Sequence, residues 1–123
     1  NEARLAMLMQ RALTQDPAAL DARATLALAT RGGAQVLGRD DIGALKPGMA
    51  ADFAAFDMHA LPFAGALHDP VAALLFCTSV NVNYSVINGR VVVREGQLTT
   101  LELDPLIKQH NHIARQLVNG ELT

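Results

Sequence analysis

The chain has 123 residues, of which 50% are hydrophobic and 18% are charged. This length suits one compact domain, and this hydrophobic content excludes a disordered tail. With a formal net charge of −2 and no run of basic residues, the chain is not expected to bind nucleic acid, and no apolar run reaches the about 18 residues that a membrane span requires.

Helical patterns fill the first 38 residues. Apolar side chains recur there at spacings of three and four residues, namely Leu5, Leu8, Met9, Ala12 and Leu13. This spacing predicts a helix that ends near Thr14. Asp16-Pro17 is typical of a helix N-cap followed by proline at the first helical position, so it predicts a second helix that runs to about Thr30. Gly32-Gly33 is expected to break this helix, and a short helical turn over residues 34–37 to follow.

From residue 39 the pattern changes to turns and short strands. Lys46-Pro47-Gly48 predicts a tight turn, because proline fixes φ and glycine tolerates a positive φ. Residues 52–57 predict a strand, with Phe53 and Phe56 as its large side chains. Residues 62–65 predict a loop. His68-Asp69-Pro70 then predicts the cap of a short helix over residues 71–76.

Alternation of apolar and polar residues is clearest in VNVNYSVINGRVVVREGQL, residues 80–98. Asn88-Gly89 is the favoured two-residue type I′ turn, so this segment predicts a hairpin whose returning strand covers residues 90–95. Gly96 is expected to end that strand in a bulge or a second turn. Asp104-Pro105 then opens a last helix, which Asn119-Gly120 stops.

Candidate metal ligands are sparse. His110-Asn111-His112 has the His-x-His spacing of many metal sites, but that spacing aims both imidazoles the same way only on a strand. On a helix, residues two apart point about 200° away from each other. We therefore expect one half-buried and one solvated histidine here, and no metal site. His59 and His68 lie in predicted loops, outside any Cys/His cluster at ligand spacing.

The remaining titratable groups have structural interpretations. His68-Asp69 has the composition of an acid–base pair, but a helix cap at Asp69 is favoured. Asp40-Asp41 is expected at the surface, because acid–base catalysis needs a partner and a cleft. Cys77, the single cysteine, rules out an intrachain disulfide, is expected to be a buried structural thiol, and favours a cytoplasmic protein. We assign no catalytic, cofactor-binding or metal-ligating residue in this chain.

Several short motifs follow one another in a recognisable order. They are ALAT, GGA and LGR within residues 27–39, DIG, PGM and ADF within residues 41–53, HDPVAAL at residues 68–74 and VINGRVV at residues 86–92. This order resembles the C-terminal part of the amidohydrolase superfamily, in its cytosine-deaminase-like and atrazine-chlorohydrolase-like branch. DPVAALLFC, residues 69–77, is most similar to 8-oxoguanine deaminases, and next to enzymes that act on hydroxylated triazines.

The resemblance implies an α+β fold in three segments. Residues 1–38 would be the last helical elements of a (β/α)₈ barrel, residues 39–100 part of a small β-sandwich (the composite domain), and residues 101–123 a C-terminal helix. The family's metal ligands, a His-x-His, two further histidines and an aspartate, would precede Asn1 in a longer protein. Because no residue here matches a ligand motif, the segment alone is expected to bind no cofactor and to be inactive.

For the whole protein, the resemblance implies hydrolysis of a C–N bond on a purine-like or triazine-like heterocycle, with a divalent metal, zinc, activating water. Bare sheet edges and helix faces predict a homo-oligomer, without nucleic-acid or membrane partners. Two alternatives stay open: a standalone interaction module derived from the sandwich, and an unrelated α+β domain. Against the unrelated domain, the strand that begins at Asp52 should pair in the same sheet as the Asn88-Gly89 hairpin.

Overall fold

A computed structural model of the chain describes residues 1–77 and 80–121. It combines helices with a small antiparallel sheet, in agreement with the predicted α+β class. In chain order the elements are α1 Glu2–Thr14, α2 Ala22–Ala27, a π-helical turn Leu28–Gly32, α3 Gly33–Val36, β1 Phe53–Ala55, a 3₁₀ turn Leu61–Phe63, α4 Pro70–Phe76, β2 Tyr84–Ile87, β3 Arg90–Arg94, β4 Gln97–Leu98 and α5 Leu103–Val118.

The first helix ends where its apolar pattern predicts, but the second begins later. α1 ends at Thr14. The Asp16 carboxylate then accepts a hydrogen bond from Ala18 N at 2.8 Å, which closes a local turn. Asp21 is the N-cap of α2, and its carboxylate accepts from Ala24 N at 2.8 Å. The prediction that Asp16-Pro17 starts the helix is therefore wrong, because the turn that Asp16 closes is not continued: Leu20 has a left-handed φ of 55°, and the helix begins only after Asp21.

Gly32-Gly33 does not break the second helix, contrary to prediction. The two glycines have φ of −61° and −60°, so the chain stays helical from Ala22 to Val36 through the π-helical turn. Such a turn is rare and occurs mostly as a single widened turn inside an α-helix. The helix ends instead at Val36, and Gly38, two residues later, has a φ of +65°. Glycine permits a helix to end but does not impose it.

The four strands form one antiparallel sheet in the order β1-β2-β3-β4. Phe53 pairs with Val86, so the strand that follows Asp52 lies in the same sheet as the Asn88-Gly89 hairpin, as predicted. This pairing argues against the unrelated domain. The two turn residues have φ of 49° and 72°, the left-handed values of a type I′ turn. A register shift between Ser85 and Val86 marks a β-bulge.

The hairpin begins later than its pattern indicates, and a short additional strand follows it. β2 begins at Tyr84, whereas the alternation predicts a strand from Val80. Glu95-Gly96, with φ of 51° and 77°, forms a second tight turn that ends β3, as expected for Gly96. That turn leads into β4, which pairs with β3 and lies outside the predicted hairpin.

The core lies among α1, α2 and α4, which contact one another. Met7 and Phe63 are the largest fully buried apolar side chains, with exposed fractions of 0% and 1%. Thr25 is buried with them, and its hydroxyl donates to Asp21 O at 2.7 Å. Because α4 follows β1 in the chain, its contact with α1 and α2 returns the chain to the N-terminal helices before the hairpin begins.

α5 is an exposed amphipathic helix at the end of the chain. It begins at Leu103, next to the predicted start, and Gly120 at φ +70° ends it as predicted. His110 and His112 are both exposed, so the expectation of one half-buried histidine is wrong. The reason is that the described part of the chain leaves most of the apolar side of α5 uncovered, with Leu117 exposed by 68%. Across residues 1–77 and 80–121, every helix is too short or too polar to cross a membrane.

Candidate functional site

A tightly built joint connects the N-terminal helices to the sheet. At its centre Gly43 lies directly against the preceding helix. A carbon placed on Gly43 as a side chain would come within 3.0 Å of Ala34 Cβ and within 3.1 Å of both Arg31 Cα and Thr30 O. The φ of Gly43 is +87°, which also favours glycine. Thr30 and Arg31 precede Gly32-Gly33 and Ala34 follows them, so the loop packs on the helix on both sides of these glycines.

The predicted turn at Lys46-Pro47-Gly48 follows this contact. Met49 N donates to Lys46 O at 3.2 Å, and Gly48 has a φ of +84°. Ala50 N then donates to Asp41 O at 2.8 Å, so the two ends of the loop are hydrogen-bonded to each other. The loop is therefore closed before the chain enters β1.

Arg39 and Asp41 form a bidentate ion pair at the surface of the joint. Arg39 Nε lies 2.8 Å from Asp41 Oδ1, and Arg39 Nη2 lies 2.6 Å from Asp41 Oδ2. The hydrogen bond from Arg39 lowers the pKa of Asp41 below its ordinary value. The neighbouring Asp40 is exposed. A carboxylate held ionised by an arginine is a poor general acid, so the geometry of this pair supports anchoring of the loop.

Two side-chain acceptors fix the ends of β1 to the hairpin. Asp52 Oδ1 accepts from Asn88 N at 2.6 Å, at the turn end of β2. Asn83 Oδ1 accepts from Asp57 N at 2.7 Å, at the other end. These pairs join residues 36 and 26 positions apart in the chain. The Asp of the ADF motif thus has a structural role, because it docks β1 onto the hairpin turn.

Asp69 links two helices. It caps α4 by accepting from Ala72 N at 3.1 Å, as His68-Asp69-Pro70 predicts. It also accepts from Arg23 on α2, with Nη1 at 2.9 Å and Nη2 at 3.2 Å. The hydrogen bond from Arg23, and then that from Ala72 N, lower the pKa of Asp69. Sequence reasoning missed the Arg23 contact because 46 positions separate the partners. His68 itself is exposed.

Arginines also hold α4 against α1. Cys77, at the end of α4, has a free thiol and is half-buried rather than fully buried as expected, since it lies at the helix C-cap. Its carbonyl accepts from Arg4 Nη1 at 3.4 Å. Arg11 stacks over the ring of Phe76 at 5.1 Å, and its Nε donates to Ala19 O at 3.0 Å. Such cation–π contacts stabilise the seam between helices.

The described residues do not fit a catalytic zinc site. Within residues 1–77 and 80–121, no three His, Cys, Asp or Glu side chains are grouped so that they could hold a metal ion. His110 and His112 are exposed on α5, and His59 lies in an exposed loop where its backbone N donates to Asp57 Oδ1 at 2.9 Å. A catalytic zinc needs about three protein ligands converging on one point.

A groove of about 390 Å³ lies between the π-helical turn and β1. Residues 42–45 line it together with Ala29, Thr30 and Phe53. Asp52 also lines it, but its carboxylate already accepts from Asn88 N. Among the described residues of this lining there is no nucleophile with a base beside it. The geometry here supports a structural joint between helices and sheet.

Comparison with known protein sequences identifies one family. The sequence model of the amidohydrolase family matches residues 1–92. The 8-oxoguanine deaminase of Pseudomonas aeruginosa is 40% identical over 119 residues, which cover 97% of this chain and 26% of that enzyme. The similarity therefore runs along almost all of this chain and a minor part of the relative.

Solved structures give the same result. An adenosine deaminase from Xanthomonas campestris with bound zinc matches with a TM-score of 0.87 and 29% identity, covering 96% of this chain and 27% of that one. A variant of atrazine chlorohydrolase from Arthrobacter aurescens, complexed with zinc and atraton, matches with a TM-score of 0.79 and 33% identity. The match covers 90% of this chain and 25% of that one. The chain spans about a quarter of the length of these relatives.

Proposed function

This chain belongs to the amidohydrolase family, and from that premise we propose that it is the C-terminal scaffold segment of a metal-dependent aminohydrolase. One observation carries the proposal: similarity to deaminases extends through nearly the whole chain, yet it occupies about a quarter of each relative. An enzyme of this family needs the remaining three quarters for its reaction centre, and this chain would complete its fold.

The proposed substrate is a small purine-like or triazine-like heterocycle, and the reaction is hydrolysis of a C–N bond on the ring. The relatives are named for a purine base, a purine nucleoside and a triazine, which supports this class of nitrogen heterocycle. An 8-oxoguanine-like ring is the first candidate, because the relative of that name aligns over 97% of the chain.

A zinc ion of such an enzyme would be held by residues outside this chain. Two structural relatives contain zinc, whereas the described residues do not converge into a ligand set. We therefore assign no step of the reaction to these residues. The contribution of this chain would be mechanical: it would close the fold around a reaction centre that other residues supply, and it would be inactive alone.

Three segments divide this scaffold in our proposal. Residues 1–38 would be the last helical elements of a (β/α)₈ barrel, residues 39–100 part of a β-sandwich, and residues 101–123 a C-terminal helix. All four described strands fall in the middle segment, and the chain leaves the N-terminal helices at the Gly43 contact, in support of this division. Contact of α4 with α1 and α2 would tie the first two segments together.

For the segment on its own, exposed apolar surface supports a homo-oligomer. β1 is an edge strand, and its three residues are exposed. α1 and α5 also leave apolar side chains open to solvent, with Leu13 exposed by 78% and Leu117 by 68%. Unpaired strand edges and bare apolar faces favour contact with a second chain. We propose a cytoplasmic enzyme, since the one cysteine of this segment needs no oxidising compartment.

A chimera tests the scaffold role directly. The region of the Pseudomonas aeruginosa 8-oxoguanine deaminase that aligns with this chain would be replaced by this chain. Because the ligands are proposed to lie elsewhere, the chimera should retain zinc, measured by native mass spectrometry, and should release ammonia from 8-oxoguanine. The isolated 123-residue chain with added zinc should release none.

Two results would count against the proposal. In a matched chimera that carries His110→Ala and His112→Ala, zinc content and deamination should stay unchanged; a loss of zinc would mean that α5 supplies ligands. A chimera that is soluble and folded but binds no zinc and deaminates nothing would instead favour the standalone interaction module.

A further inference from the structure

The hairpin turn carries the Asn88-Gly89 pair, in which an asparagine side chain is followed directly by a glycine nitrogen. Asn88 and Gly89 are both exposed. The space around Gly89 is open, since a carbon added to it would meet no heavy atom within 4 Å apart from those of its two chain neighbours. Ile87 and Arg90 are the last residues paired between β2 and β3, so the Gly89 nitrogen lies in the turn, outside the paired part of the two strands. Both reacting groups are therefore accessible.

Deamidation at an Asn-Gly pair is an intramolecular reaction followed by hydrolysis. The Gly89 nitrogen attacks Asn88 Cγ, the bond from Cγ to Nδ2 breaks, and ammonia leaves with the proton of the attacking nitrogen. This step forms a cyclic succinimide. Water then opens the ring at one of its two carbonyls and leaves either aspartate or isoaspartate at position 88. Water is the co-reactant, and neither an oxidant nor a metal takes part.

A second Asn-Gly pair in the same chain has a different environment. Gly120 N donates to Leu117 O at 3.2 Å, and Asn119 Nδ2 donates to Glu121 Oε1 at 3.1 Å. Both groups that must react at Asn119 are thus already hydrogen-bonded, and those bonds must open before ring closure. Asn119 therefore serves as an internal control with the same Asn-Gly pair, flanked by Val118 and Glu121 instead of Ile87 and Arg90.

We propose that Asn88 is a site of spontaneous deamidation, and that its conversion loosens the attachment of β1 to the hairpin. Asp52 Oδ1 lies 2.6 Å from the backbone N of Asn88, so a carboxylate created on the side chain of that residue would add a second negative charge near Asp52. Isoaspartate also inserts a carbon into the backbone, which disrupts a turn that depends on a φ of 49° at this residue. This inference needs only the hairpin and is independent of the proposed function.

Ageing of the full 123-residue chain in mildly alkaline buffer tests the site. Peptide mapping by mass spectrometry and enzymatic labelling of isoaspartate would follow both pairs in the same sample. Asn88 should convert about fivefold faster than Asn119 or more, because the Asn119 pair must first break its hydrogen bonds. Faster conversion of Asn119, or no conversion at either pair, would overturn the proposal.

The structural consequence has its own test. In the variant Asn88→Asp, hydrogen exchange of the backbone amide at position 88 should rise about tenfold, because its acceptor is now repelled by a neighbouring charge. In the background Asp52→Asn, which keeps an acceptor oxygen but removes the charge, that rise should fall to about twofold or less. Equal rises in the two backgrounds would contradict the charge mechanism, and unchanged exchange in purified isoaspartate protein would contradict the loosening of β1.

Discussion

Gly43→Ala should destabilise the chain by about 2–5 kcal/mol. A residue with a side chain at a left-handed φ costs about 1–2 kcal/mol, and the φ of Gly43 is +87°. The new carbon would also lie 3.0 Å from Ala34 Cβ and 3.1 Å from Thr30 O, which is a backbone atom of the helix. Overpacking of this kind adds about 1–3 kcal/mol.

Gly48→Ala is the matched control for this change. Gly48 has a φ of +84°, close to that of Gly43, but nothing lies within 4 Å of an added carbon. It should therefore lose only the backbone contribution of about 1–2 kcal/mol. Urea unfolding of both variants, followed by circular dichroism, measures the difference. Equal losses in the two variants would refute the close approach of the loop to the helix.

Three further changes follow from contacts in the core and at the joint. Phe63→Ala should lower the free energy of unfolding by about 3–5 kcal/mol, as expected for a ring that is 1% exposed, and urea unfolding measures it. Asp52→Ala should lose about 1–2 kcal/mol and speed amide exchange at Asn88, since it removes an acceptor at 2.6 Å; unchanged exchange would argue against this link. The pKa of Asp69 is lowered in the folded chain. Its ionised carboxylate therefore contributes fully to the stability of the fold above the unfolded-state pKa of about 4, and this contribution is lost as pH falls through the lower folded-state pKa. Thermal midpoints measured from neutral to acidic pH should therefore fall less steeply in Asp69→Asn than in the unchanged chain, and parallel curves would contradict the assignment.

Elements defined by a local pattern could be predicted from the sequence. The apolar spacing of α1, the cap at Asp69 and the turn at Asn88-Gly89 each depend on residues within a few positions of one another. Their geometry is limited by side-chain sterics and by neighbouring hydrogen bonds, which the sequence displays directly. The pairing of β1 with the hairpin followed from the family resemblance, and the sheet confirms it.

Features that depend on distant contacts could not be predicted in this way. The helix continues through Gly32-Gly33 and packs against Gly43 on both sides of these glycines, and that approach depends on a loop about ten residues away. Asp16 and Asp21 have similar capping chemistry, and only the path of the chain selects Asp21. The contact between Arg23 and Asp69 likewise joins helices that the sequence places far apart.

Zinc retention by the isolated chain is the most direct test of where the metal ligands lie. The 123-residue chain would be dialysed with zinc, passed over a weak chelator and weighed by native mass spectrometry. If other parts of the enzyme hold the metal, the chain should be recovered folded and free of zinc. One zinc per chain, retained against the chelator and lost in the variant His110→Ala/His112→Ala, would contradict the scaffold role.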